Sequence, residues 1–331
     1  MHTSPRRASL GTRTLAGVVV GMSVLIAACG SDDTTSDPAS TEVVVTTGAP
    51  AADPPATEPP TSDASTTAPS DGAIPERIVS LSPTHTEMLF AIGAGDLLVA
   101  VDDQSNHPAE ATELPNDLSG FEPNVEAIAG YEPDLVVLGG DFTGLGDQLD
   151  TLGIAWWDGP IGTTIDDSYR QIEELGDATG NSEAADALVK EMQAEIDAIV
   201  LATSVPAEPL SVYHELDPTL YSVDSSTLIG ELYSLLGLRN IADGAEGNSG
   251  GYPQLNAEFI VSADPDMIFL ADTKCCAETA SSVAARPGWD AITAVTDGNI
   301  FEMDDDIASR WGPRLVDYLR SVAEAVGQVS G

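Results

Sequence analysis

The chain has 331 residues, with 54 acidic against 12 basic side chains and a formal net charge of −42. That length accommodates about two domains. Binding to a phosphate backbone needs a basic footprint, so nucleic acid is excluded as a partner, and the acidic surface suits a soluble exported protein.

In chain order, residues 1–28 read as a lipoprotein signal peptide. Arg6, Arg7 and Arg13 precede the apolar run "LAGVVVGMSVLIAA", which at fourteen residues is shorter than the roughly 20 a bilayer span requires. The run closes on Cys29 in "IAAC", which resembles a bacterial lipobox whose cysteine receives the lipid. Residues 29–75 are rich in Thr, Ser, Ala, Pro and Asp and poor in large apolar side chains. Such a segment cannot bury enough surface to order itself, and it reads as a tether reaching on the order of 35–40 Å.

From residue 76 the chain alternates strands and helices. "RIVSL" (77–81), "LLVAV" (97–101), "DLVVL" (134–138) and "IAWW" (154–157) are short apolar runs, as expected of strands covered on both faces. Thr84 and Glu87 in "THTE" have capping-box spacing, and Asn124 sits at an N-cap position ahead of "VEAIAGY". In residues 181–204, Leu188, Met192, Ile196 and Ile199 recur at helical spacing without Pro or Gly, which predicts one long helix. Beyond it, "LSVYH" (210–214), "DMIFL" (266–270) and "NIFEM" (299–303) are further strands.

The second half repeats the first. "NVEAIAGYEPDLVVL" (124–138) matches "NAEFIVSADPDMIFL" (256–270), and "TEMLFAIG" (86–93) matches "GELYSLLG" (230–237) in the same order. The repeat implies two related lobes: residues 76–180, a strut over 181–204, and residues 205–331. The fold class is therefore α/β, with a parallel sheet in each lobe, one long helix joining them, and a ligand cleft between.

The stretch "RIVSLSPTHTEMLFAIGAGDLLVAVDDQSNHPAEA" (77–111), the following "EPNVEAIAGYEPDLVVLGG", and "RPGWDAI" and "WGPRLVDYL" near the end resemble the substrate-binding proteins of cobalamin, ferric-siderophore and haem ABC importers over residues 75–328. The resemblance implies a monomeric, lipid-anchored protein on the extracellular face of the membrane. It would carry a corrinoid or iron chelate to a permease, with no cofactor and no catalytic residue. It also implies that Glu126 and Glu258, the two copies of "NxE", dock on the transporter; each otherwise stabilises its own helix dipole.

Cleft residues are expected in the loops at the strand ends. Phe121 and Tyr252 stand at paired positions ahead of the repeat, as aromatic jaws or as covers for the helices that follow. Gln104 and His107 lie in "QSNHP", His85 in "SPTHT" and Trp157 in "WDGP". Arg310, beside Trp311, could meet a carboxylate, phosphate or amide of the ligand, or pair with Asp304, Asp305 or Asp306. No resident metal is expected from the scattered histidines. Cys275 and Cys276 are adjacent; in an exported chain they suggest a vicinal disulfide touching the ligand, against thiolate ligation, a labile redox pair or an intermolecular bridge. The rival of another class, an exported two-lobed hydrolase, lacks a G-x-S-x-G elbow.

Overall fold

Two sheets wound in the same order form the frame. The computed structural model describes residues 66–67, 73–245 and 250–330; the signal-peptide reading and Cys29 lie outside them. Lobe one comprises β1 (Thr66–Thr67), β2 (Ile78–Ser80), α1 (Pro83–Ala91), β3 (Leu98–Val101), α2 (Val125–Ala129), β4 (Leu135–Leu138), α3 (Leu145–Leu152), β5 (Ala155–Asp158) and α4 (Ile165–Thr179). Helix α5 (Ser182–Ala202) leads to lobe two. There follow β6 (Ser211–Glu215), α6 (Leu228–Leu235), β7 (Arg239–Asn240), α7 (Ala257–Ala263), β8 (Met267–Leu270) and α8 (Ala280–Ala284). The chain closes with α9 (Thr293–Asp297), β9 (Ile300–Glu302), α10 (Asp305–Ser309) and α11 (Leu315–Ser330).

The parallel strands run β3-β2-β4-β5 in lobe one and β7-β6-β8-β9 in lobe two. In both, the first strand has the second on one side and the third on the other. The winding therefore reverses between β2 and β4, and again between β6 and β8. A crevice opens at the carboxyl ends of strands at such a reversal. The repeat in the sequence is thus a repeat of winding.

The strut forms over Ser182–Ala202, about 30 Å long. Its buried face is Ala185, Val189, Met192 and Ile196, while Leu188 and Ile199 are only partly covered. These residues belong to one apolar core that also takes in Met88 of α1, Phe269 of β8 and Leu319 of α11. Because that core runs through both lobes and the strut, parting the lobes would expose it.

Two local expectations change. Helix α1 is capped by Ser82, whose Oγ accepts from the His85 N–H, with Pro83 as its first residue. Proline suits that position because its missing N–H would be unpaired there. The "THTE" spacing is therefore not a cap, and Glu87 is free for another partner. The tether expected over 29–75 is interrupted by β1, which pairs antiparallel with the edge strand β5 (Thr66 opposite Trp157, Thr67 opposite Trp156). An open sheet edge offers unpaired backbone groups, which β1 takes up.

Candidate functional site

The joint between the lobes is polar and buried. Glu87, 3% exposed, receives Arg310 Nη1 at 2.7 Å and Arg314 Nε at 2.8 Å from lobe two. Arg310 Nη1 also donates to Asn106 Oδ1, and its Nη2 donates to the Gln104 carbonyl and to Asp306. In the other direction, Glu231 of α6 accepts the Ile165 N–H at the start of α4, at 2.8 Å. Glu87 and Glu231 are the matched glutamates of the "TEMLFAIG"/"GELYSLLG" repeat. Each lobe reaches across with the same residue.

His85, Trp157 and Trp311 meet in this joint. The Gln171 Oε1 accepts from Trp311 Nε1 at 2.7 Å and lies 2.9 Å from His85 Nε2, while His85 Nδ1 lies 2.8 Å from Ser82 Oγ. Consistent roles put the proton on Nε2 and let Nδ1 accept from the serine hydroxyl. The imidazole meets both indoles edge-on, at 5.0 and 5.7 Å between centroids. A side chain on Gly159 would strike this ring, so the glycine permits the approach. Burial lowers the His85 pKa to about 4, and the ring is neutral.

These contacts turn three of the expected ligand residues toward the protein itself. His85 and Trp157 are buried, and every guanidinium contact of Arg310 described above is to the protein itself. Their loops face the other lobe rather than open solvent. Trp311 keeps partial exposure. His107 is exposed but lines a groove of about 570 Å³ beside Glu87, Pro108, Glu110 and Arg314. That places it at the joint and not among the exposed aromatics. Gln104 has an exposed side chain.

The aromatic positions remain open. Phe121 is 81% exposed and Phe142 is 78% exposed. They border a pocket of about 270 Å³ at the winding reversal of lobe one, with Leu81, Leu138, Gly139 and Gly140 among its other walls. Gly140 has φ +102°, and the Phe142 ring lies where its side chain would be. In lobe two, Tyr221 and Tyr252 are 40% and 43% exposed. Two antiparallel stretches hold them, through a bridge between Tyr221 and Gln254 and bonds from Ser222 N–H to Pro253 O and from Asp224 N–H to Gly251 O. Burial and the neighbouring Asp224 raise the Tyr252 pKa, so its phenol stays protonated. Phe142 and Tyr221 also lie in loops that follow strands, β4 and β6, but carried no repeat to single them out.

Cys275 and Cys276 form a vicinal disulfide in an exposed loop after β8. Asp305 holds that loop, accepting from the backbone N–H groups of Thr273, Lys274 and Cys275 at 2.7–2.9 Å. Lys274 pairs with Asp304 and Asp306. Among the described residues, no three His, Cys, Asp or Glu side chains gather as metal ligands. Glu126 and Glu258 are exposed in the first turns of α2 and α7, which Asn124 and Asn256 cap.

A family model described as periplasmic binding protein matches residues 78–307. The chain belongs to the periplasmic binding protein family. This binding protein is 30% identical over 260 residues to the uncharacterized ABC transporter substrate-binding lipoprotein YvrC of Bacillus subtilis, covering 76% of this chain and 80% of YvrC. It is 31% identical over 272 residues to a cobalamin-binding protein of Halobacterium salinarum, covering 79% of this chain and 72% of the relative. Its fold is similar to that of the periplasmic vitamin B12 binding protein BtuF of Vibrio cholerae, with a TM-score of 0.64 at 24% identity over 77% of this chain and 98% of BtuF. It is also similar to the periplasmic heme-binding protein RhuT from Roseiflexus sp. RS-1, with a TM-score of 0.69 at 23% identity over 77% of this chain and 99% of RhuT. The periplasmic binding protein is thus one of the substrate-binding proteins of ABC importers, which capture a small ligand for a permease; it is not an enzyme.

Proposed function

We propose that the protein captures a cobalamin-like corrinoid between its lobes and delivers it to an ABC permease while held to the outer face of the membrane by a lipid on Cys29. The observation that supports the ligand is the set of exposed rings on both lobes, Phe121 and Phe142 on one and Tyr221 and Tyr252 on the other. Broad apolar rings on both sides suit a large, rigid, partly apolar guest, and a joint already locked by Glu87 and Arg310 favours pre-organised binding. The cobalamin-binding relative supports the same reading. Haem is the second reading, favoured by the RhuT-like fold. His85, expected in the cleft, and His214, which ends up beside it in β6, have no exposure with which to coordinate its iron.

Purified protein titrated with cyanocobalamin, haemin and ferric siderophores, followed by tryptophan fluorescence, tests the ligand. Saturation by cyanocobalamin is expected; saturation by haemin or a siderophore alone overturns the corrinoid reading. Glu126 and Glu258 are proposed to dock on the permease. Replacing both with alanine is expected to abolish uptake with affinity unchanged, and normal uptake would remove that role. Cys29→Ala is expected to release the protein from the membrane; continued membrane retention would refute the anchor.

A further inference from the structure

Lobe two sets two carboxyl groups together at its winding reversal. Glu215 ends β6, Asp272 lies two residues past β8, and both are fully buried. Glu215 is well served: Arg286 Nη1 and Nη2 donate to its two oxygens at 2.6 Å each, and the Tyr213 hydroxyl donates at 3.1 Å. Asp272 is not. Neither of its oxygens meets a donor, and the carboxyl within hydrogen-bond reach is that of Glu215. Two acceptors cannot bond unless a proton lies between them, and a buried carboxylate with no donor is strongly disfavoured.

We propose that Asp272 and Glu215 share one proton, and that this proton latches the 272–278 loop onto lobe two and releases it as the pH rises. Asp305 holds the 273–275 end of the loop, while its 276–278 end hangs from Asp272, whose carbonyl accepts from Cys276 N–H at 3.2 Å and from Glu278 N–H at 3.4 Å. The groups facing Asp272 are Tyr213 and Glu215 from β6, Glu278 from the loop itself and Arg286 from beyond α8. Glu278 Oε2 already accepts from Arg286, at 3.1 Å. With the proton in place, the two glutamates and one arginine leave the cluster a net charge of −1. Its loss makes that −2, with no second cation in the cluster.

Burial, then the charge of Glu215, raises the Asp272 pKa to about 7. The folded state therefore holds this proton more tightly than the unfolded chain does. The resulting stabilisation is complete at low pH and is lost as the pH climbs through about 7. The disulfide-bearing rim of lobe two is consequently ordered in mildly acid surroundings and loosened in alkaline ones. This holds whatever the ligand is.

Hydrogen exchange of the Cys276 and Glu278 amides, which the Asp272 carbonyl holds, corrected for intrinsic rates and measured on the whole chain, tests the latch. Protection is expected to fall by about tenfold between about pH 6 and pH 8. Asp272→Asn keeps an N–H donor toward Glu215 but cannot titrate, so its protection is expected to stay flat. The melting temperature of the variant is expected to gain on the native protein as the pH rises. The other titrating groups, His85 and His214 among them, are common to both proteins, so the difference between the profiles isolates Asp272. PH-independent protection in the native protein, or parallel profiles in the two proteins, overturns the proposal. The native exchange profile, with a protonated-carboxyl infrared band lost over the same range, decides the matter even without a folded variant.

Discussion

The two winding reversals carry opposite chemistry. In lobe one, glycines leave the crevice open and Phe121 and Phe142 wall it. In lobe two, Glu215, Arg286 and Asp272 fill the corresponding crevice from within. Here the exposed rings stand instead on the neighbouring 220–224 and 251–255 stretches. A duplicated frame thus keeps its winding and its crossing glutamates while each copy specialises its end loops. Lobe one offers a pocket, and lobe two offers a rim whose order depends on a proton.

The sharpest way to break the comparison is at the crossing glutamates. Glu87→Ala strands Arg310 and Arg314 in a buried joint and is expected to cost about 3–5 kcal/mol in denaturant unfolding. Next come the buried histidines, one per lobe. Burial lowers His85 to about 4 and His214 to about 3. Their folded values lie below the unfolded one near 6.5, so each contributes stability that is complete above about pH 6.5 and fades as the pH falls. The loss is expected to total about 3 kcal/mol for His85 and somewhat more for His214. The two contributions should run together down to about pH 4, below which only His214 continues. Replacing each by glutamine and comparing the acid limbs checks this; identical limbs for both variants and the native protein would refute it.

A smaller effect sharpens the two-sided grip. Phe121→Ala and Tyr252→Ala are each expected to weaken cyanocobalamin binding by about 30-fold, roughly 2 kcal/mol. Loss on one side only would assign the ligand to a single lobe. The smallest effect belongs to Glu231→Ala, which removes one backbone acceptor at the start of α4 and is expected to cost about 1 kcal/mol. Equal losses for Glu87→Ala and Glu231→Ala would erase the distinction between the two crossings.

The frame was readable because parallel strands buried on both faces write themselves as apolar runs, and a duplicated sequence carries duplicated winding. Strands β1 and β7 escaped notice, each being two residues of Thr-Thr or Arg-Asn with no apolar run. The repeat singled out Phe121 and Tyr252, and both rings are exposed. The burial of His85, Trp157 and Arg310 was not legible, because a loop at a strand end can face solvent or the other lobe. Partners such as Glu87 for Arg310, 223 positions away, decide which. Glu87 itself was hidden by its chance capping spacing, since Ser82 and Pro83 already begin the helix.

The hem formed by β1 has a practical consequence. Thr66 and Thr67 occupy the outer border of β5, where another molecule could otherwise add its own backbone. Protein trimmed to start at residue 76 would shed that border and is expected to self-associate through it, so a shortened preparation would report on stickiness as much as on ligand capture.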